Sequence, residues 1–304
     1  MLITISLFWS GVDVGVLSGL AANTDSKNFA IFCGSLRDSS ATTDGIVFVN
    51  SPVPERHKII AETYKVVLIE YDPEKLEPQF LRSFHPSSLR WILFNRLLHQ
   101  NNQYLAKRYD RVVFTDVRDT YFQTDPFDHI PKSKSVFYAF SENLGQLIRD
   151  CGWNSAWIRD CFGPDTLDFV SNSTIICSGI SMGSMDRVLE YLDLMSRIMM
   201  GKSILGNRFP KCERNGVDQG VHNVIINTGL LKSHTVHFES TFPLTHMQST
   251  AAAAAYDPER PTFITLDSTN VLSIVHQYDR INTIQVALAT KYVTWVGKLC
   301  EAFA

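Results

Sequence analysis

An α/β fold with a mostly parallel sheet follows from two features of the sequence. Short apolar runs rich in β-branched residues alternate with helical stretches, and an acidic turn follows one of those runs directly. Strands that are apolar throughout are covered on both faces, and joining them through helices gives parallel crossovers. Size agrees: 304 residues, 45% hydrophobic and 19% charged, suffice for one large domain whose core needs no disulfide staples.

Taken in order, residues 2–8 read as a first strand and 28–36 as a helix. Residues 45–49 form a second strand, stopped at Ser51-Pro52. A helix over 54–64 carries a proline in its first turn, where the missing N–H costs nothing. Residues 65–71 form a third strand. Residues 85–100 form a helix with Leu89, Leu93 and Leu97 at a spacing of four. Residues 111–115 form a fourth strand. The second half is less regular. Residues 173–177 read as a strand ending in a turn at Ser178-Gly179, followed by helices over 184–200 and 217–226. Ala251 to Ala255 is the one low-complexity piece, and there is no internal repeat. The expected organisation is one domain over 1–304. Within it, residues 1–130 are the regular half, 131–280 the less regular half and 281–304 a helical tail.

Several function classes drop out. A net charge of -3 gives no basic field for nucleic acid, and no basic run faces an anionic membrane. No stretch of about 18 uninterrupted apolar residues is present to span a bilayer, so a cytoplasmic location is the default. A trimmed Golgi or endoplasmic-reticulum domain would look the same. The six cysteines include no C-x-x-C pair, which argues against structural zinc and favours reduced thiols. Asn172-Ser173-Thr174 matches a glycosylation acceptor but abuts an apolar run, so it reads as a chance match.

The chemistry centres on Asp116-Val117-Arg118-Asp119. Carboxylates three positions apart on a turn after a strand can converge on one hard cation, Mn2+ or Mg2+, that keeps open positions for phosphate oxygens. In open α/β sheets, ligands bind beyond the carboxyl ends of strands, where this turn lies. Standing alone, the pattern is weak, because acidic turns are common and a solvated acidic loop is the more frequent reading.

The segment Phe114 to Phe122, with Asp125-Pro126-Phe127 after it, resembles the metal-binding segment of GT-A glycosyltransferases. The form with two residues between the aspartates is that of collagen-type glycosyltransferase domains. Cys177-Ser178-Gly179 is similar to the stretch where such enzymes approach the donor sugar, with cysteine in place of the common asparagine. Gly216-Val217-Asp218-Gln219 is similar to their Asp-Gln motif near the acceptor, and Val275 to Arg280 to their late histidine segment. The resemblance covers roughly residues 1 to 280, in the expected motif order.

It implies a GT-A fold and transfer of a hexose or pentose from a nucleotide-diphosphate donor, with UDP expected, to a glycan or glycoprotein hydroxyl. Asp116, Asp119 and His276 would bind metal, with His246 the competing histidine. Ser6 and Phe8 would lie near the base, and Arg90 and Arg118 near the diphosphate. Ser178, Gly179 and Gln219 would contact sugar, and Asp218 would serve as general base. For Asp218 the plain alternative is an acid favoured by a helix N-terminus, for Arg118 a structural ion pair, and for Trp153 and Trp157 core packing instead of an acceptor platform. A metal-dependent hydrolase or phosphoryl-transfer enzyme, and a non-catalytic carbohydrate- or nucleotide-binding domain, are the rival functions.

Overall fold

The computed structural model describes residues 14–21, 24–100, 108–128, 135–201, 212–231, 235–238, 244–246, 256–257, 262–263 and 271–302. In chain order the first elements are β1 (Val14–Leu20), α1 (Ser26–Ser39), β2 (Asp44–Asn50), α2 (Glu55–Thr63), β3 (Val66–Tyr71), α3 (Pro86–Gln100), β4 (Arg111–Thr115), β5 (Thr120–Phe122) and β6 (Phe137–Leu147). Then come α4 (Gly152–Phe162), α5 (Pro164–Val170), β7 (Thr174–Ser184), α6 (Met185–Met199), α7 (Val217–Asn227), β8 (Thr235–Phe238) and β9 (Leu244–His246). The last are β10 (Tyr256–Asp257), β11 (Thr262–Phe263), β12 (Ile274–His276) and α8 (Asn282–Ala302). The α/β class read from the sequence is the observed one. The chain folds as two compact units. One draws on Thr4–Asp72, Phe114–Pro131 and Ser240–Ala304, the other on Pro73–Val113 and Lys132–Glu239.

In the first unit, β1, β2 and β3 lie side by side in parallel, linked through α1 and α2. Strand β2 is buried from Asp44 to Val49, as a strand covered on both faces must be. Helix α1 starts where Asp25 Oδ1 accepts from the Asn28 N–H at 2.7 Å, satisfying one of the free amides of the first turn. Every residue from Asn28 to Leu36 is buried. At its far end Arg37 donates to the carbonyls of Ser40, Ala41 and Tyr64. Helix α8 packs on α1 so closely that a Cβ on Gly34 would meet the Tyr292 ring at 2.5 Å. Ile31, Tyr121, Val275, Tyr278, Leu288 and Tyr292 form the cluster between them. Residues 2–8, expected as the first strand, lie outside the described residues; the described strand that pairs with β2 is β1.

In the second unit β6 runs antiparallel to β7, while β8 runs parallel to β6 on its other side. Strand β7 runs on to Ser184, so the turn expected at Ser178-Gly179 is strand instead. The register shifts there: Ala139 faces Ser181 while the next residue, Phe140, faces Cys177, so residues 178–180 form a bulge. Such a bulge leaves no trace in single-sequence periodicity, because the apolar pattern continues on both sides of it.

Helix α7 is latched to β7 by one side chain. Asn223 Oδ1 accepts from the Ile176 N–H and Asn223 Nδ2 donates to the Ile176 carbonyl, both at 2.8 Å, much as a neighbouring strand would. Ile148, Ile158, Val170, Ile175 and Val224 form the apolar cluster of this unit. The cysteines depart from expectation. Cys161 and Cys212 are joined in a disulfide across a sequence separation of 51, with Cα atoms 4.9 Å apart. Sequence spacing gives no hint of a partner that far away. Cys33 and Cys177 are buried thiols, and burial pushes the Cys33 thiol well up.

Candidate metal centre and a second buried polar cluster

The Asp116 to Asp119 turn joins β4 to β5, and β5 pairs antiparallel with β12 so that Thr120 faces His276. That register sets His276 beside Asp119, and the Gln277 N–H then donates to the Asp119 carbonyl at 2.7 Å. Gln277 takes a left-handed backbone conformation, φ 61°, unusual for a residue with a side chain. It turns the chain sharply off β12 into the Tyr278–Arg280 turn.

His276 Nε2 lies 3.3 Å from Asp116 Oδ2 and 3.4 Å from Asp119 Oδ1. One ligand atom from each of Asp116, Asp119 and His276 falls within 4.8 Å of the others. Oxygen ligands at about 2.1 Å from one octahedral ion sit about 3.0 Å apart, so these spacings need little closure to surround a cation. The donor set of two carboxylates and one imidazole suits Mn2+ or Mg2+. The imidazole and the Asp119 side chain are buried, while the Asp116 side chain is 32% exposed and leaves one face open. Strand β9 runs parallel to β12 with His246 opposite His276 in register.

Charge is arranged tightly around Asp119. Burial alone would raise its carboxyl, but the positive charge and hydrogen bond of His276, with those of Arg118, hold it well below the usual carboxylate range. Arg118 Nη2 donates to Asp119 Oδ2 at 3.1 Å and lies 3.6 Å from Asp279 Oδ2. Arg280 pairs with Asp279 at 3.0 Å. Burial raises the Asp279 carboxyl, and the negative charge of Asp119 adds to that rise. Both arginine side chains remain about half exposed. Tyr278 donates to Asn28 Oδ1 at 3.4 Å and to the Arg118 carbonyl at 3.3 Å, which fastens the turn to α1.

The second unit carries its own polar cluster. Arg90 on α3 and Asp218 in the first turn of α7 form an ion pair at 2.9 Å, with side chains only 7% and 3% exposed. Asp218 Oδ2 also accepts from Ser178 Oγ at 3.2 Å and Trp91 Nε1 at 3.4 Å. Asp218 Oδ1 is buried with no hydrogen-bond partner among the described residues. Gln219 Nε2 donates to Glu142 Oε2 at 3.0 Å and Asn154 Oδ1 at 3.2 Å.

The structure therefore brings Asp116, Asp119, His276 and Arg118 together in one unit, and Arg90, Ser178, Asp218 and Gln219 together in the other. Gly179 sits in the β7 bulge, its N–H donating to Cys177 Sγ at 3.3 Å. Ser6 and Phe8 lie outside the described residues, as does the Ala251 to Ala255 run. Asp279, Glu142 and Asn154 were not anticipated. Asp279 lies inside the Val275 to Arg280 segment, whereas Glu142 and Asn154 sit in no recognisable pattern.

Trp157 is a packing residue: a Cβ on Gly216 would stand 2.3 Å from its ring, and one on Gly220 2.9 Å from its Cβ. Trp153 is 71% exposed. Gly216 caps α7 with φ 79°, and Gly229, at φ 70°, has open space around it. Gly216→Ala is expected to cost more than Gly229→Ala. Both incur about 1–2 kcal/mol of backbone strain, and only the first drives a methyl into Trp157. Urea melts of the two variants check this; equal losses would mean that Trp157 yields freely.

No family model matches the sequence, and no curated protein matches it. Similar solved structures include an active-site variant of LgtC, 11% identical, with 86% of each chain covered and a TM-score of 0.49. Core-mannan synthase A from Aspergillus fumigatus, in a Mn/GDP form, is 16% identical over 77% of this chain and 74% of its own, with a TM-score of 0.41. The glycosyltransferase GlyE of Streptococcus pneumoniae TIGR4 is 11% identical over 96% of this chain and 64% of its own, at 0.49. Identities this low carry no activity over to this chain.

Proposed function

We propose that this chain is a metal-dependent glycosyltransferase of the GT-A type, moving a sugar from a nucleotide diphosphate, with UDP first among nucleotides, to a hydroxyl of a glycan or glycoprotein. The observation that carries this reading is the convergence of Asp116, Asp119 and His276. These residues would hold Mn2+ or Mg2+, which supplies positive charge against a departing diphosphate. Arg118 gives up Asp119 and turns its fork of donors to phosphate, where paired N–H groups fit best. Arg280, also about half exposed, would do the same.

Toward sugar, Asp218 Oδ1 is a buried acceptor awaiting a donor, and a hydroxyl supplies one. Its other oxygen is already engaged, accepting from Arg90 at 2.9 Å, Ser178 at 3.2 Å and Trp91 at 3.4 Å. Asp218 on this reading orients a hydroxyl instead of removing its proton. Gln219, Ser178 and Gly179 remain proposed sugar contacts, and Ser6 and Phe8 proposed contacts of the base. A hydrolase using the same metal would release free sugar without an acceptor, and a binding domain would release nothing.

UDP-sugars and GDP-sugars offered with and without Mn2+, with and without a mixed glycan acceptor, separate these readings. The expected result is metal-dependent nucleotide release that rises with acceptor. Release unaffected by acceptor favours the hydrolase, and no release from any donor contradicts catalysis.

A further inference from the structure

The chain contains a single Asn-x-Ser/Thr sequence, Asn172-Ser173-Thr174, and it falls on the turn between α5 and β7. On sequence alone its nearness to an apolar strand reads as a chance match. The structure shows Asn172 exposed, with burial beginning only at Ile175. The turn is held by the Ile148 N–H donating to the Ser173 carbonyl and the Arg149 N–H to the Ser171 carbonyl, both at 3.0 Å. Neither bond uses Asn172. Its side chain meets Arg149, whose guanidinium donates to Oδ1. A cation must take the oxygen, so the amide nitrogen is not the atom engaged.

Two further observations point the same way. Phe169, three residues upstream in the last turn of α5, is 74% exposed, the highest among the large apolar side chains described. A bare aromatic face of this kind is a seat for the apolar face of a sugar ring. The Cys161–Cys212 disulfide lies in the same unit, and disulfides form and persist in oxidising compartments. That is the compartment in which this acceptor sequence is read on secreted chains.

We propose that Asn172 is an N-glycosylation site and that the protein matures in an oxidising secretory lumen, not in the cytoplasm. In the step, the Asn172 amide nitrogen bonds to the anomeric carbon of an oligosaccharide carried on a lipid diphosphate. The bond from that carbon to the diphosphate oxygen breaks, the nitrogen loses one proton to solvent, and the lipid diphosphate leaves. The host's transferase catalyses it, so the inference is independent of the metal centre.

The full chain is directed into the endoplasmic reticulum of a eukaryotic host, and the peptide bearing Asn172 is read by mass spectrometry before and after peptide N-glycosidase. The expected result is a glycan whose enzymatic release converts Asn172 to aspartate. It should be lost in Asn172→Gln and Thr174→Ala and kept in Ser173→Ala, with Cys161 and Cys212 oxidised in the same sample. An unmodified Asn172 in the lumenal chain, or a glycan surviving Asn172→Gln, overturns the proposal.

Discussion

Asp119→Ala is expected to weaken Mn2+-dependent binding of UDP by at least about 100-fold, the upper end of what losing even a partner behind a metal ligand costs. Asp119 is the pivot of its cluster. One oxygen lies 3.4 Å from His276 and the other takes Arg118 at 3.1 Å. Removing it deletes a ligand and releases both neighbours. Asp116→Ala should have a smaller effect on folding, because the Asp116 side chain is 32% exposed. If both variants lose metal-dependent affinity, both aspartates are ligands; if only one does, the other is the loop acid. Isothermal titration of UDP at fixed Mn2+ reads this, and unchanged affinity in Asp119→Ala would remove Asp119 from the metal shell.

The second large effect concerns stability. Arg90→Leu or Asp218→Leu, taken singly, is expected to cost about 3–5 kcal/mol, because each strands a buried charge. With side chains 7% and 3% exposed, water cannot take over the lost partner's role. The double variant should recover most of that loss, since a buried pair replaced by apolar groups of similar volume is often neutral. Sugar-dependent turnover should stay lost, because Asp218 Oδ1 and Ser178 would no longer be set for a hydroxyl. Urea denaturation of the two single variants and the double variant supplies the cycle. Additive losses in the double variant would mean that the two charges are not coupled.

Much of the metal centre was legible because it is local. The apolar run 111–115 is the observed β4, bound for bound, and an acidic turn after a buried strand has few places to go. His276 was placed by motif order, and the structure supplies the physical reason, a β5–β12 register that sets it opposite Thr120. What could not be read is long-range. The β7 bulge at 178–180 depends on β6, and the ion pair joins residues 128 positions apart. Glu142 meets Gln219 across 77 positions, and Cys161 meets Cys212 across 51. None of these contacts leaves a local pattern, since each is fixed by how elements distant in sequence pair and pack.

The central claim is that the turn after β4 and the end of β12 together hold a divalent cation. Crystals of the chain soaked with Mn2+ and UDP, with data collected at the manganese absorption edge, test it most directly. An anomalous peak within bonding distance of Asp116, Asp119 and His276, continuous with diphosphate density, is the predicted result. A peak elsewhere, or His276 still paired to both aspartates with no metal between them, would contradict it.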